Sequence, residues 1–240
     1  MRLAVISDVH GNLTALEAVI ADLKQTSPDL VLHGGDLVVG GPRPAEVVDC
    51  IRQLGWAGVM GNTDEALWAP EKFNEQVKRA PKLRDLFDIL FHDFSVTRDL
   101  LGDERVRWLR ELPPVWQGNS LTLLHASPGD LWQAPMPECD DEQLVSTYRN
   151  LGAAIVVYGH IHRPFVRPVT GLVVANSGSA GMPYDGDPRA CYILVEDGVA
   201  SIRRVEYDVE GEVQYLLSSG YPHAAWLADV RRHARYVQPY

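Results

Sequence analysis

Five short polar motifs stand in fixed order along this chain: Asp8-Val9-His10, Gly35-Asp36, Gly61-Asn62-Thr63-Asp64, His125 and Gly159-His160-Ile161-His162. Between them they offer seven oxygen and nitrogen side chains of the kinds that bind divalent metals: Asp8, His10, Asp36, Asn62, His125, His160 and His162. Two metals held side by side can direct a metal-bound hydroxide at a phosphate ester. Each motif follows a short apolar run that reads as a strand.

Taken singly, each motif has a plainer reading. Asp-x-His at a strand end puts two side chains on one face, but Asp8 could simply cap the helix that follows. Asp36 has two oxygens and could bridge two cations, or it could be a turn aspartate after two glycines. Asn62 offers a neutral amide oxygen, but it could be a left-handed turn residue or an N-cap, and so could Asp64. His125 ends the strand Leu121-Thr122-Leu123-Leu124, where a satisfied core histidine is common. His160 and His162, two apart in locally extended backbone, can point to one place. What changes the weighing is position. All five motifs sit at the C-terminal ends of predicted strands, where sites gather in open α/β sheets.

The elements that must position them alternate. Arg2 to Ser7 is a continuous apolar strand, as expected for one buried on both faces. Asn12 to Lys24 carries a helical stripe of Leu13, Leu16, Val19, Ile20 and Leu23. A strand at Leu30 to His33, a helix at Pro44 to Leu54 and a strand at Gly55 to Val59 complete a β-α-β-α-β run, which marks an α/β fold. From 64 to 112 no strand is evident. Helices are expected over Glu71 to Arg79, Leu83 to His92, Phe94 to Leu100 and Asp103 to Leu112, forming a helical insertion that covers one side of the site. Strands resume at Ser120 to His125 and Ala154 to Tyr158, with a helix at Asp140 to Leu151 between them. Phe165 to Pro168, Leu172 to Ala175, Ala190 to Glu196 and Ala200 to Tyr207 read as a β-meander with turns at Thr170-Gly171 and Asp197-Gly198. Two helices, Glu210 to Ser218 and His223 to His233, close the chain.

Size and charge set the remaining bounds. With 240 residues and 46% hydrophobic content, the chain can bury a sizeable core. It shows no repeat or linker, so residues 1–240 are expected to form one domain with 64–112 inserted in it. The net charge of −10 and a pI near 5.2 disfavour duplex nucleic acid and anionic membrane as partners. Cys50, Cys139 and Cys191 form no CxxC pair and read as free thiols in a reducing compartment. The run Leu3 to Ile6 is too short for a secretory signal, and no run reaches the roughly 18 apolar residues of a membrane span. The expected setting is the cytoplasm. The expected partner is a small phosphate ester, and homo-oligomerisation is left open.

In their order the motifs resemble those of the calcineurin-like metallophosphoesterase superfamily, and its small bacterial and archaeal phosphoesterase branch most of all. The segments DVHGN (8–12), GDLVVGGP (35–42), GNTD (61–64), HASP (125–128), GHIHRP (159–164) and NSGS (176–179) carry the likeness across essentially the whole chain. GMPYDGDPRA (181–190) looks like that branch too. The resemblance implies a four-layer α-β-β-α sandwich, two facing mixed β-sheets flanked by helices. It implies two divalent metal ions. One would take Asp8, His10 and His162, the other Asn62, His125 and His160, and Asp36 would bridge them. Imidazoles with carboxylates suit manganese first, with iron, zinc, cobalt or nickel as alternatives. The implied reaction is hydrolysis of phosphate esters, phosphodiesters ahead of others, by in-line attack of a hydroxide bridging the ions. Asp36, Asn62, Asp64 and His160 would carry the catalysis, and Asn12, Asn62, Arg43 and Arg163 would contact the substrate.

Two positions depart from the pattern. Thr63 stands where many relatives carry a histidine thought to serve the leaving group, and threonine cannot act as a general acid near neutrality. Either leaving groups needing little protonation are favoured, or another group donates the proton. Tyr184 stands where relatives often carry arginine, which would weaken recognition of a dianionic monoester. His92 and Asp93 of the insertion are candidates to face the site; His33 reads as a buried strand residue. Trp68, Trp108, Trp116 and Trp132 read as packing residues. The competing functions are a phosphomonoesterase or protein phosphatase, a nucleotide hydrolase, and a non-catalytic metal-binding scaffold such as the superfamily's retromer subunit. The last predicts lost ligands, and none is lost here.

Overall fold

The structure is a computed structural model and describes residues 1–79, 84–118 and 120–239. Its logic begins in the first strand. Along β1 (Arg2–Ile6) side chains alternate faces. Leu3 and Val5 enter one buried cluster and Ala4 and Ile6 another. A strand buried on both sides has no polar face, which is why it reads as an unbroken apolar run.

Two five-stranded sheets are built around this arrangement. In the first, β1 lies between β2 (Leu30–His33), parallel to it, and β9 (Ala190–Glu196), antiparallel; β3 (Ala57–Gly58) and β10 (Val199–Val205) form the edges. In the second, β5 (Leu121–Leu124), β6 (Ile155–Tyr158) and β8 (Leu172–Asn176) run parallel, with β4 (Val115–Gly118) and β7 (Phe165–Val169) antiparallel at the edges. Leu3, Val5, Leu32 and Ile193 of the first sheet and Leu121, Leu123, Ile155 and Val157 of the second form the core between them.

Helices cover the outer faces. On the first sheet lie α1 (Leu13–Thr26) and α2 (Pro44–Leu54), with Leu16, Val19, Val47 and Ile51 buried beneath them. On the second lies α6 (Asp141–Tyr148), whose Leu144 and Tyr148 meet Val156 and Tyr158. The architecture is the expected α/β arrangement of two mixed sheets flanked by helices. Between β3 and β4 come α3 (Asn62–Ala66), α4 (Pro70–Arg79) and α5 (Arg84–Arg110). The chain ends in α7 (Val209–Ser218) and α8 (Ala224–His233).

Several expectations are corrected. The four late strands are not one meander. β7–β8 is a hairpin of the second sheet and β9–β10 a hairpin of the first, so the chain crosses between sheets over 177–189. Each hairpin has the expected turn, Gly171 and Asp197-Gly198 having positive φ, but alternation cannot say which sheet a hairpin joins. The third strand shrinks to two residues. The helices expected at Phe94 to Leu100 and around 83–92 are one, and Leu83 lies outside the described residues; the break expected between Leu100 and Asp103 comes at Gly102, where φ is 70° and ψ 164°. The segment 115–118, outside the expected strands, pairs with β5 as an edge strand. Trp68, Trp108 and Trp132 pack against the outer core and Trp116 against the core between the sheets.

Candidate metal centre

The C-terminal ends of β1, β2, β3, β5 and β6 point to one edge of the sandwich, and the five motifs leave the sheets there. Backbone bonds tie their loops together. Asp8 donates its N–H to Gly35 O (3.0 Å), His10 to Asp36 O (3.1 Å), and Gly159 to His125 O (3.0 Å). Five of the seven side chains sit on left-handed backbone: Asp8, His10, Asp36, His160 and His162 have φ between 51° and 65°. Non-glycine residues adopt this region rarely and at a cost of order 1–3 kcal/mol each. Such a concentration at one point is strain that the surrounding structure must hold in place.

Four histidines converge, and each commits one ring nitrogen to a backbone carbonyl. His10 Nδ1 meets Val39 O (2.6 Å), His162 Nδ1 meets Met182 O (2.6 Å), His125 Nδ1 meets Gly34 O (2.7 Å) and His160 Nε2 meets Trp132 O (3.0 Å). A carbonyl only accepts, so these bonds assign the ring protons to those nitrogens. The other nitrogen of each ring carries a lone pair, and these lone pairs face one another and the carboxylates. His10 Nε2 lies 3.1 Å from His162 Nε2, which lies 3.2 Å from Asp8 Oδ1. Asn62 Oδ1 lies 2.7 Å from His125 Nε2 and 2.9 Å from His160 Nδ1. Asp36 Oδ2 stands between the two groups, 3.9 Å from His10 Nε2 and 3.6 Å from His125 Nε2. Acceptors at these separations with no proton between them repel, and a cation between them turns repulsion into coordination. Asp8, His10 and His162 offer ligand atoms within 4.8 Å of one another, as do Asp8, Asp36 and His125. The donor set therefore fits divalent metal, and the backbone carbonyls supply the orienting contacts that metal-ligating histidines ordinarily have.

For His10 and His160 the electrostatics agree. Burial depresses the His10 imidazole to about 4, with neighbouring His162 adding to the effect, and burial with His125 beside it does the same to His160. Both rings are neutral at neutral pH, as ligands must be. Burial would lower His125 too, but the charges of Asp36 and Asp8 outweigh it and hold that ring above its ordinary value. Burial would raise Asp8, but His162, His125 and His10 outweigh it and hold the carboxyl below the usual range.

Around these side chains the motif glycines and polar residues have assignable roles. A Cβ on Gly61 would collide with Asp36 Oδ1, and one on Gly159 with Asp8 Oδ2 and Ser7 Oγ. The glycines thus let neighbouring strand ends approach the carboxylates. Asp64 Oδ2 accepts from Asp36 N (2.8 Å) and Gly61 N (3.1 Å), and its Oδ1 accepts from Leu37 N (3.1 Å). It thereby locks the Asp36 loop to the Asn62 loop. Burial and the Asp36 charge push its carboxyl up to about 7. The Ser179 hydroxyl donates to Asp8 O (2.6 Å) and accepts from Met182 N (2.7 Å), linking Asp8 to the carbonyl that orients His162. Asp64→Asn sets an amide NH2 against backbone N–H donors. It is expected to weaken divalent-metal binding about 10–100-fold, checked by competition with a fluorescent chelator; unchanged affinity would refute the loop-locking role.

Three side chains expected to contact the substrate have protein partners and do not line the cavity at the centre. The Asn12 side chain is fully buried. It caps α1 by accepting from Ala15 N (3.0 Å) and donates to Gly181 O (3.0 Å). The Arg43 guanidinium bonds Thr14 Oγ1 (2.6 Å) and pairs with buried Glu212. Arg163 pairs with Glu138. Spacing could not reveal partners so far along the chain. His33 is buried in β2, as expected. His92 pairs with His223 at the surface (3.3 Å), whereas Asp93 turns inward.

A cavity of about 130 Å³ opens over the converging side chains. His10, Asp36, Asn62, Thr63, His160 and His162 form its polar side; Leu86, Leu90, Trp226 and Leu227 form its apolar wall. Asp93, Met182 and Tyr184 also line it. Tyr184 stacks on His162 with ring centroids 4.5 Å apart. A larger cavity, about 440 Å³, lies beside Glu65, Lys72 and Trp132 and touches none of the seven side chains. Sequence reasoning missed Arg231. It is fully buried on α8 and donates to Gly40 O (2.8 Å) and His10 O (3.3 Å), so it holds two site loops from 191 and 221 residues away. An arginine in an amphipathic helix gives no local sign of this.

Comparison with known proteins follows the same lines. The model of the calcineurin-like phosphoesterase superfamily domain matches residues 1–198. An uncharacterised protein of Methanocaldococcus jannaschii is 30% identical over 95% of this chain and 96% of its own length. A symmetrical bis(5'-nucleosyl)-tetraphosphatase of Methylococcus capsulatus is 31% identical, over 56% of this chain and 46% of its own. The crystal structure of a metallophosphoesterase from Sphaerobacter thermophilus superposes with a TM-score of 0.79 at 26% identity, covering 98% of this chain and 99% of that one. α7 and α8 lie beyond the residues that the family model matches, and α8 supplies Trp226, Leu227 and Arg231.

Proposed function

Because this chain belongs to the calcineurin-like phosphoesterase superfamily, and is on that ground a hydrolase of ester bonds, we propose that it cleaves phosphodiesters at a pair of divalent metal ions. Asp8, His10 and His162 would hold one ion, Asn62, His125 and His160 the other, with Asp36 shared. The observation that carries this is the meeting of unprotonated ring nitrogens, His10 Nε2 and His162 Nε2 only 3.1 Å apart. When bound, such ions neutralise phosphate charge and make water a nucleophile at neutral pH. The imidazole and carboxylate donors favour manganese, with iron, zinc, cobalt or nickel as substitutes.

The preference for diesters rests on the cavity. None of the described residues lining it is a lysine or arginine. The second charge of a monoester dianion finds no counter-charge from them, and neither does a polyphosphate chain. The wall of Leu86, Leu90, Trp226 and Leu227 suits an uncharged ester substituent instead. The space is similar to the roughly 150 Å³ that holds a benzene ring in an engineered cavity. The three cysteines are free, and no helix among the described residues is long and apolar enough to cross a membrane. Both features accord with the proposed cytoplasmic setting.

The test is turnover of bis-aryl against mono-aryl phosphate by metal-stripped protein reloaded with manganese. The diester is expected to be preferred by roughly tenfold or more. That is the worth of one charge-assisted hydrogen bond that the dianion would lack. Preference for the monoester would overturn the substrate class; absence of metal-dependent turnover of either would overturn the reaction.

A further inference from the structure

Breaking a phosphodiester releases an oxygen that needs a proton, and Thr63 cannot give one. The other groups on the cavity are engaged. His10, His160 and His162 each commit one nitrogen to a carbonyl and turn the other to the cluster. The Tyr184 hydroxyl rests on Met182 Sδ (3.4 Å), and burial raises its pKa far above neutrality. Just behind the wall, the Tyr221 hydroxyl is held by Gly40 N (3.0 Å) and Thr97 Oγ1 (2.9 Å).

Asp93 is different. It comes from α5, opposite the strand ends, and its side chain is fully buried. Neither carboxyl oxygen has a hydrogen-bond partner among the described residues. It lines the same cavity as Asp36, Asn62, Thr63 and the three histidines. A buried carboxylate kept for structure would be expected to carry partners. One left bare in a cavity is poised for a partner that arrives.

We propose that Asp93 is a catalytic residue, its carboxyl giving a proton to the leaving-group oxygen as the ester bond breaks. The inference rests on the phosphodiesterase reading above. Water supplies the oxygen of the new P–O bond and loses a proton to solvent. The old P–O bond breaks and its electron pair goes to the leaving oxygen. That oxygen takes the Asp93 proton and departs as the alcohol. Asp93, left as carboxylate, regains a proton from solvent.

Burial pushes the Asp93 carboxyl up to about 8, so it is protonated at neutral pH. The titratable groups that share the cavity are His10, His160, His162, Asp36 and Tyr184, and Tyr221, bonded to Thr97, is close enough for the Asp93 charge to act on it. Arg231 is directed to the Gly40 and His10 carbonyls. A neutral acid beside an apolar wall is a proton donor of matched strength for an alkoxide or phenoxide.

The experiment compares wild type, Asp93→Asn and Asp93→Leu, all manganese-loaded, on methyl aryl phosphate diesters whose leaving phenols range from strongly to weakly acidic. Nitrophenol leaves without help, so both variants are expected to keep wild-type turnover on that ester within a few-fold. On the unactivated phenyl ester they are expected to lose roughly 10²–10⁴-fold. With wild type the phenyl-ester rate falls as pH rises past the Asp93 pKa, and in the variants that limb is gone. Equal loss on both esters, or no loss on either, would overturn the role. Failure of wild type on even the nitrophenyl ester would instead overturn the phosphodiesterase reading.

Discussion

Asp36→Asn is expected to lower metal-dependent turnover by about 10³-fold or more, the equivalent of several kcal/mol of charge stabilisation. It should do so without unfolding the protein. Asp36 Oδ1 accepts from Thr63 N (2.9 Å), and its backbone N–H donates to Asp64 Oδ2 (2.8 Å). Asparagine keeps the first bond through its amide oxygen and the second through the main chain. What it cannot keep is the anionic Oδ2 between the His10 and His125 nitrogens. An amide NH2 there has no lone pair to give a cation, so the proposed pair of ions would lose its shared ligand. Wild type should gain thermal stability on adding manganese, because a ligand that binds only the folded state stabilises it. Asp36→Asn should lose most of that gain. Its metal-free melting temperature should match wild type or exceed it, since the Asp36 charge presses on buried Asp64. A variant that keeps wild-type turnover would exclude Asp36 from the centre.

The second large effect is on stability and appears without metal. Asp93 has a folded pKa of about 8 against about 3.9 in an unfolded chain. Between those values the folded state holds a proton that the unfolded state has released. Stability therefore falls as pH rises from about 4 to about 8 and levels above. Asp93→Asn has no proton to release. Relative to wild type, the variant should gain roughly 1.4 kcal/mol per pH unit over that window, on the order of 5 kcal/mol in all. Urea unfolding of both metal-free proteins from pH 5 to 9 measures this. The comparison cancels the imidazoles of His10, His33 and His160, each held near 4 chiefly by burial. Their folded values are depressed, so stability is lost as pH falls from about 6.5 towards 4, equally in both proteins. A stability difference that is constant across the range would mean that Asp93 does not titrate in a buried site.

The centre was legible because its ingredients are local. Asp8, Asp36, Asn62, His125 and His160 each follow an apolar run ending in a tight polar turn, and strands buried on both faces make such runs conspicuous. The same local signal failed where the deciding contact is distant. Alternation along 165–176 and 190–205 marks two hairpins, but not that one pairs with β6 and the other with β1. Arg43 and Arg163 look like phosphate ligands by motif, until Glu212 and Glu138 are found beside them.

Sequence alone therefore determined most of the alternation of strands and helices up to the hairpins and the placing of seven metal-binding side chain types at strand ends. Both follow from backbone periodicity and short-range turn chemistry that neighbours in the chain suffice to set; the family likeness rests on the motifs themselves. Tertiary structure alone decided that His160 presents Nδ1 while the other three rings present Nε2. It also decided that Arg231 braces the loops and that Asp93 stands bare over the centre. Those outcomes depend on which carbonyl, carboxylate or void a side chain meets after folding. A ring's tautomer is set by the carbonyl opposite it, and a carboxyl's affinity for its proton by the water excluded around it.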